Sequence, residues 1–145
     1  MARIYSRGLS KGPNAMRAMG AGDGVSADET LVLSAAPSAS DVLELLFVPA
    51  GARLQTLEIR NTDMDTGTAF AAKVGFASVD GSESDDDYFA AAGAFCQSAG
   101  VTRFNFAPIT FQRDTWVIAT VTTAPGTFAA GSVTTVGQGR SLGAK

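Results

Sequence analysis

The segment Phe70-Ala-Ala-Lys-Val-Gly-Phe-Ala77 decides the fold, because its larger apolar residues recur at every second position. Those residues are Phe70, Ala72, Val74 and Phe76, with Lys73 among the residues between them. Alternation over this length is typical of a β-strand that has one face in a core and the other toward solvent. The segment therefore predicts a half-buried strand.

The same signal continues upstream of this strand. In the segment 54–61, Leu57 and Ile59 alternate with polar residues, which predicts a second half-buried strand. The segment 42–48 is apolar at every position except Glu44. A short run of this kind predicts a strand that is covered on both faces.

Further β-compatible runs at 31–33, 104–106, 116–123 and 132–136 bring the named runs to seven, and their spacing indicates about eight short strands in all. The alanine-rich stretch from Tyr88 to Phe95 instead predicts a short helix capped by Asp87. Long amphipathic helices do not alternate with the strands, which argues against a parallel α/β sheet. The predicted fold is all-β, an antiparallel jelly-roll-like β-sandwich with an extended N-terminal arm.

Composition changes near residue 28 and predicts three regions. Residues 1–28 are punctuated by glycine without a sustained period, and we expect an extended N-terminal arm that cannot fold alone. Residues 29–137 contain the strands and form the predicted β-sandwich domain. Residues 138–145 are predicted to be a loose C-terminal tail.

The charge balance favours protein partners over nucleic acid or membrane. Hydrophobic residues make up 46% and charged residues 17% of the chain, so few charges lose water when a partner covers the surface. The net charge of -3 argues against nucleic acid as the main partner. The apolar run 42–48 is too short to span a bilayer, and the first residues lack the apolar region of a secretory signal. We expect a soluble protein made in the cytoplasm.

The chain contains no histidine, which removes the side chain best suited to proton transfer near neutral pH. Cys96 is the only cysteine, so neither an intrachain disulfide nor a thiolate metal cluster can form. Its apolar neighbours indicate a buried thiol rather than a reactive one. We predict that the protein is not an enzyme and holds no cofactor, metal or catalytic residues.

Two groups of residues leave other functions open. The acidic run 80–87, joined by Asp63 and Asp65, predicts a solvated loop, with a cation site and a carboxylate catalytic pair as alternatives. Trp116, with the phenylalanines at 104 and 106, predicts core packing, and a sugar-stacking platform is the alternative.

Cationic residues are spread through the predicted arm at Arg3, Arg7, Lys11 and Arg17. They either solubilise the arm or bind an acidic surface, and protein and nucleic acid both offer such surfaces. Because the net charge disfavours nucleic acid, we take these four residues as candidate protein-binding residues.

Three features together resemble a known family. They are the Val48-Pro-Ala-Gly-Ala-Arg-Leu54 turn into an alternating strand, the Asp-Asp-Asp-Tyr-Phe-Ala-Ala segment at 85–91, and the Thr/Val-rich ending. They are similar to the jelly-roll cement proteins that decorate the capsid exterior of tailed bacteriophages. The resemblance spans 29–137, and the acidic 80–87 run has no clear counterpart in it.

The resemblance implies a virion protein on the capsid exterior that joins neighbouring major capsid protein subunits of an HK97-like shell. It further implies a homodimer, no catalytic residues, and attachment through extended arms and loops, which matches residues 1–28. A rival interpretation is a phage fibre or receptor-binding β-sandwich that recognises a host glycan.

Overall fold

The computed structural model describes residues 3–5 and 24–142. Within these ranges, no helix has the length and apolarity that a membrane span requires. The regular elements of these ranges are the strands β1 (Arg3–Tyr5), β2 (Gly24–Leu33), β3 (Val42–Val48), β4 (Ala52–Asn61), β5 (Ala71–Ser78), β6 (Ser84–Ala94), β7 (Gly100–Arg103), β8 (Ile109–Thr110), β9 (Thr115–Thr123) and β10 (Gly131–Ser141).

The strands form two sheets. The first sheet has the order β1-β3-β9-β5-β6, and the second has the order β2-β10-β4-β7 with β8 also paired to β4. Neighbouring strands are antiparallel, except that β1 runs parallel to β3. When β1 is left out, one sheet has the order β3-β9-β5-β6 and faces a sheet of the order β2-β10-β4-β7. This arrangement is that of a jelly roll. The predicted all-β, jelly-roll-like sandwich is confirmed.

The main core lies between the two sheets and follows the alternation in the sequence. In β4, Leu57 and Ile59 are buried while Arg60 is exposed. Phe70 and Val74 are also buried in this core, and the partly buried Phe76 packs against it. The period-two patterns thus identified the inner faces of β4 and β5 correctly.

Strand β3 is buried along its whole length, as its double-sided apolar pattern predicts. Leu43 and Val48 belong to the main core, whereas Val42 and Phe47 belong to a second cluster on the outer side of the sheet. The register of β3 against β9 shifts between Glu44 and Leu46, which is typical of a β-bulge. The bulge changes which residues face inward along the strand.

The predicted short helix from Tyr88 to Phe95 is wrong, because this stretch lies mostly in strand β6. Alanine has a high helix propensity, but propensity is a weak preference that tertiary context often outweighs, and here the stretch forms backbone hydrogen bonds with β5. Pairing with β5 therefore overrides the local preference. Phe89 is buried by this arrangement, while Ala91 to Ala94 remain exposed.

The strands extend beyond the predicted sandwich boundaries of 29 and 137. Gly24 pairs with Arg140, so β2 begins before Glu29 and β10 continues after Gly137. Val25 and Ala27 are buried at the start of β2, but such small side chains produce a weak hydrophobic signal. The three-region division itself stays a prediction, since 6–23 and 143–145 lie outside the described residues.

Candidate interaction surfaces

The outer side of β3, β9 and β5, here called the first outer face, is apolar and buried. Its cluster is separate from the main core and consists of Val42, Phe47, Ala77, Trp116 and Ile118. The rings of Phe47 and Trp116 meet edge to face with centroids 5.3 Å apart. All five residues are only 4–9% exposed. In a simple two-layer sandwich this side would face solvent.

Part of β6 lies over one flank of the first outer face. Between the pairs Phe76–Asp85 and Val74–Ala90, β6 has residues 86–89 where β5 has only Gly75. A Cβ atom on Gly75 would lie 2.0 Å from the backbone oxygen of Asp85. Glycine is therefore required here for the bulged β6 backbone to approach β5 so closely.

The predicted acidic loop at 80–87 is a turn followed by the start of β6. Asp85, Asp86 and Asp87 lie in the strand, with carboxylate oxygens within 4.8 Å of one another. Asp85 and Asp87 are exposed, and Lys73 contacts Asp86 at 3.3 Å. The exposure of Asp85 and Asp87 agrees with the solvated interpretation, and the clustered oxygens are compatible with the cation-site alternative as well.

Asp80 holds the turn together rather than joining the other carboxylates. Its oxygens accept hydrogen bonds from the Ser82 amide at 3.0 Å, the Ser82 hydroxyl at 2.6 Å and the Ser78 hydroxyl at 2.8 Å. Arg113 donates a further bond at 2.7 Å. These donors, the Ser82 hydroxyl first, hold the pKa of Asp80 well below its usual range.

Asp65 is buried and closes a different loop. Its carboxylate accepts backbone amide bonds from Thr127 at 2.9 Å, Gly67 at 2.9 Å, Ala69 at 2.7 Å and Phe70 at 2.7 Å. These bonds, that from Thr127 first, lower the pKa of Asp65 well below its usual range. Asp65 has a structural role, and the Asp-x-Gly spacing of a side-chain-capped turn was the signal for it.

Cys96 is buried, as its neighbours predicted. Burial raises the pKa of its thiol to about 12. The reactive thiolate is therefore scarce at neutral pH, and the interpretation as an inert thiol holds.

The candidate stacking residues pack against other side chains instead of forming an exposed platform. Trp116 belongs to the first outer face and is 6% exposed. Phe106 lies 4.8 Å from Phe89 between ring centroids, and Phe104 packs against the main core. The three aromatic side chains therefore pack as the core interpretation predicts, and they do not form the exposed surface that sugar stacking requires.

The outer side of β2, β10, β4 and β7, here called the second outer face, is polar and exposed. Glu58 lies between Arg60 and Arg103, with N–O distances of 2.5 Å and 2.8 Å. These hydrogen bonds, that from Arg103 first, lower the pKa of Glu58. The Arg103 side chain nevertheless remains 81% exposed, so this surface is accessible to a partner.

Four arginines from three strands share the second outer face, namely Arg53 and Arg60 of β4, Arg103 of β7 and Arg140 of β10. In the strand register, Arg53 of β4 lies opposite Arg140 of β10, and Arg103 of β7 lies opposite Glu58 of β4. No pattern in the sequence predicts this group, because it depends on strand register. The alternation of arginine with Leu54 and Ile59 in β4 was the only local signal.

The four predicted partner-binding residues are placed only in part. Arg3 lies in β1, where its backbone is opposite Val42 of β3. Arg7, Lys11 and Arg17 lie outside the described residues. Partner binding by these residues stays a prediction.

No protein-family model matches this sequence, and neither does any curated protein. The fold is similar to that of chains in three solved phage capsids. A chain in the capsid of Ralstonia phage GP4 has a TM-score of 0.78 and 23% identity, with 97% of this chain and 98% of that chain covered.

A chain in the capsid asymmetric unit of cyanophage Pam1 has a TM-score of 0.65 and 15% identity, covering 86% of this chain and 89% of that chain. A chain in the acidic stable capsid of Helicobacter pylori bacteriophage KHP30 has a TM-score of 0.54 and 17% identity, covering 79% and 86%. At these identities, the similarities show a shared fold.

Proposed function

We propose that this chain is a structural protein of a phage capsid. The observation that carries the proposal is the match over nearly the whole length to a chain in the capsid of Ralstonia phage GP4. The two other matches also come from phage capsids. A fold alone supports many functions, but matches from three particles of the same kind favour a place in the virion.

Within the capsid, we propose the role of a cement or decoration protein on the outer surface. The motif resemblance at 48–54 and 85–91 supports this role. The partner is then the major capsid protein of an HK97-like shell, and the chain acts as a homodimer. A chain that contacts two neighbouring subunits stabilises the head efficiently, because the first contact raises the effective concentration for the second.

Two surfaces are candidates for the attachment. The predicted arm carries Arg3, Arg7, Lys11 and Arg17, and the second outer face carries an exposed group of arginines. Both suit an acidic protein surface, since arginine and lysine form charge-assisted hydrogen bonds with carboxylates. We assign the attachment to the arm, because an extended segment can follow a neighbour over a larger area than a flat sheet.

The proposed role is not enzymatic. The oxygens of Asp65 and Asp80 accept several hydrogen bonds each within the chain. Cys96 is buried as a protonated thiol. These three residues thus have structural roles. The burial of Trp116 likewise weakens the rival glycan-binding interpretation.

Co-sedimentation with phage head shells that lack this protein tests the proposal. The unmodified chain should pellet with the shells and raise the temperature at which they open. Replacing Arg3, Arg7, Lys11 and Arg17 with Gln should weaken the binding and reduce its salt dependence. Absence of any shell binding by the unmodified chain would refute the capsid role.

A matched variant separates the two candidate surfaces. It replaces the same number of cations on the second outer face with Gln, at Arg53, Arg60, Arg103 and Arg140. Binding close to that of the unmodified chain is expected. If this variant loses binding while the arm variant keeps it, attachment through the arm is wrong, although the capsid role stands.

A further inference from the structure

Strands of both sheets meet at one end of the sandwich, here called the turn end. Val48 closes β3 and lies opposite Thr115, which also lies opposite Ser78 at the close of β5. Strand β6 begins at this end, because its start pairs with the close of β5. In the other sheet, β4 begins at Ala52 after a short turn from β3, and Ser141 at the close of β10 lies opposite Ala52.

Two apolar side chains are exposed at the turn end. Val79 directly follows β5 and is 55% exposed, and Leu142 directly follows β10 and is 45% exposed. The Val79 amide donates to the Asp114 carbonyl, and the Leu142 amide donates to the Gly51 carbonyl. These backbone bonds hold both residues against the turns. Single exposed apolar residues are common, but here charged groups of opposite sign accompany them.

A pair of arginines lies on the second-sheet side of the turn end. Arg53 and Arg140 lie opposite one another in β4 and β10, and both are exposed. Like charges directly opposite across two strands repel each other. At the far end of the same face, Glu58 lies between Arg60 and Arg103 and compensates their charges. No described carboxylate forms an ion pair with Arg53 or Arg140, so an external carboxylate can do for them what Glu58 does for the other two.

Carboxylates lie on the first-sheet side of the turn end. Asp85, Asp86 and Asp87, at the start of β6, have carboxylate oxygens within 4.8 Å of one another. Lys73 contacts Asp86, whereas Asp85 and Asp87 are exposed. Negative charges this close repel each other, and a cation from outside relieves the repulsion. The turn end thus combines cations on one side, anions on the other and exposed apolar side chains from both sheets.

A surface of this kind complements a second copy of itself. A twofold axis can lie across the turn end, perpendicular to the strands and parallel to the sheets. It places the first sheet of each copy end-on against the second sheet of the other, so that the acids of each copy meet the arginines of its partner. The contact then forms twice, and Val79 and Leu142 lose exposure to solvent. Apolar side chains with a charged rim are typical of a protein interface.

We propose that two copies of this chain associate end to end through the turn end. Asp85 and Asp87 of each copy then bind Arg53 and Arg140 of the other. This inference rests on the homodimer of the proposed function and names its interface. The proposed attachment to the shell uses the arm and not these residues, so self-association and shell binding can be tested separately.

Sedimentation velocity of the full chain, without shells, tests the contact by charge reversal. Arg53→Glu with Arg140→Glu should raise the dimer dissociation constant at least about tenfold, because like charges then face each other. A second variant, Asp85→Lys with Asp87→Lys, should have the same effect. An equimolar mixture of the two variants should restore association, since opposite charges meet again at both contacts of the mixed dimer.

The matched control reverses two charges elsewhere on the second outer face. Arg60→Glu with Arg103→Glu changes the net charge by the same amount, but Arg60 lies roughly 20 Å from Arg53 along β4. This variant should dimerise like the unmodified chain. The salt dependence of the unmodified chain provides a second test that holds even if a variant does not fold. Association should weaken clearly between about 0.05 M and about 0.5 M salt.

Three results would overturn the proposal. They are a monomeric unmodified chain, a dimer that is insensitive both to salt and to the two charge reversals, and a mixture of the variants that stays monomeric. A dimer that resists the reversals leaves the homodimer standing and refutes only this interface. A dimer that behaves as expected but does not bind shells refutes the capsid role and leaves the interface intact.

Discussion

The two outer faces of the sandwich differ sharply although both lie on the solvent side of a β-sheet. The first outer face is built from Val42, Phe47, Trp116 and Ile118 and is buried. The second carries Arg60 and Arg103 around Glu58, with Val32 68% exposed nearby in the same sheet. The two sides of the sandwich are therefore not equivalent. Only the second outer face presents exposed charged side chains to a partner.

The two outer faces differ in what they contribute to the stability of the fold. Burial of each large apolar side chain contributes about 1.5–3 kcal/mol, so the first outer face adds substantially to stability. Exposed ion pairs contribute roughly 0–1 kcal/mol, so the second outer face can change partners at little cost to the fold. We expect stability and recognition to be separated between the two sides.

The largest expected effect comes from a charge on the first outer face. Ile118→Asp should lower the free energy of unfolding by about 3–5 kcal/mol, because it places an uncompensated charge at a buried position. Val32→Asp on the second face should change it by less than about 0.5 kcal/mol. Urea denaturation measures both, and similar losses in the two variants would erase the distinction between the faces.

A buried carboxylate should matter more than an exposed one, and its effect should depend on pH. The pKa of Asp65 is lowered by folding, so its stabilising effect is present above the usual Asp pKa of about 4 and is lost as pH falls toward the folded value. Asp65→Asn should therefore destabilise the protein at pH 7. The difference from the unmodified chain should narrow in acid, and a constant difference would contradict this role.

The close approach of β6 to the first outer face can be tested at Gly75, where the backbone of β6 leaves no room for a side chain. Gly75→Ala places a methyl group against the backbone of Asp85 and should cost about 1–3 kcal/mol as the bulge shifts. Gly24→Ala is the matched control, because no atom lies within 4 Å of the added Cβ at that position. Equal thermal stability of the two variants would mean that the bulge does not pack as described.

The smallest effect is expected on the second outer face. Glu58→Gln removes two ion pairs whose arginine side chains are 61% and 81% exposed. Solvent and salt screen such pairs, so the change in stability should be slight and should vanish near about 1 M salt. A large change that persists at high salt would show that this face is structurally coupled to the core.

The sequence predicted the strands with clear alternation and failed where tertiary pairing or register decides. Leu57, Ile59, Phe70 and Val74 were placed correctly because each pattern extends over several residues. The helix from Tyr88 to Phe95 was wrong because alanine is compatible with either structure. No local pattern states which strands become neighbours, so the sheet order could not be derived.

The candidate surfaces were predicted less completely than the fold. The arginines of the second outer face meet only through the pairing of β4 with β10 and β7. The apolar run at 42–48 correctly predicted a strand that is buried on both faces. The acidic run separated into a turn residue, Asp80, and a strand segment, 85–87, because the turn at Gly81 reverses the chain between them.

Cryo-electron microscopy of the particle that contains this chain is the most direct test of the capsid role. We predict density for the two-sheet domain on the outside of the shell, in contact with two neighbouring major capsid protein subunits. Density inside the shell, or contact with a single subunit, would contradict the bridging role. Absence of the chain from the particle would contradict the capsid role altogether.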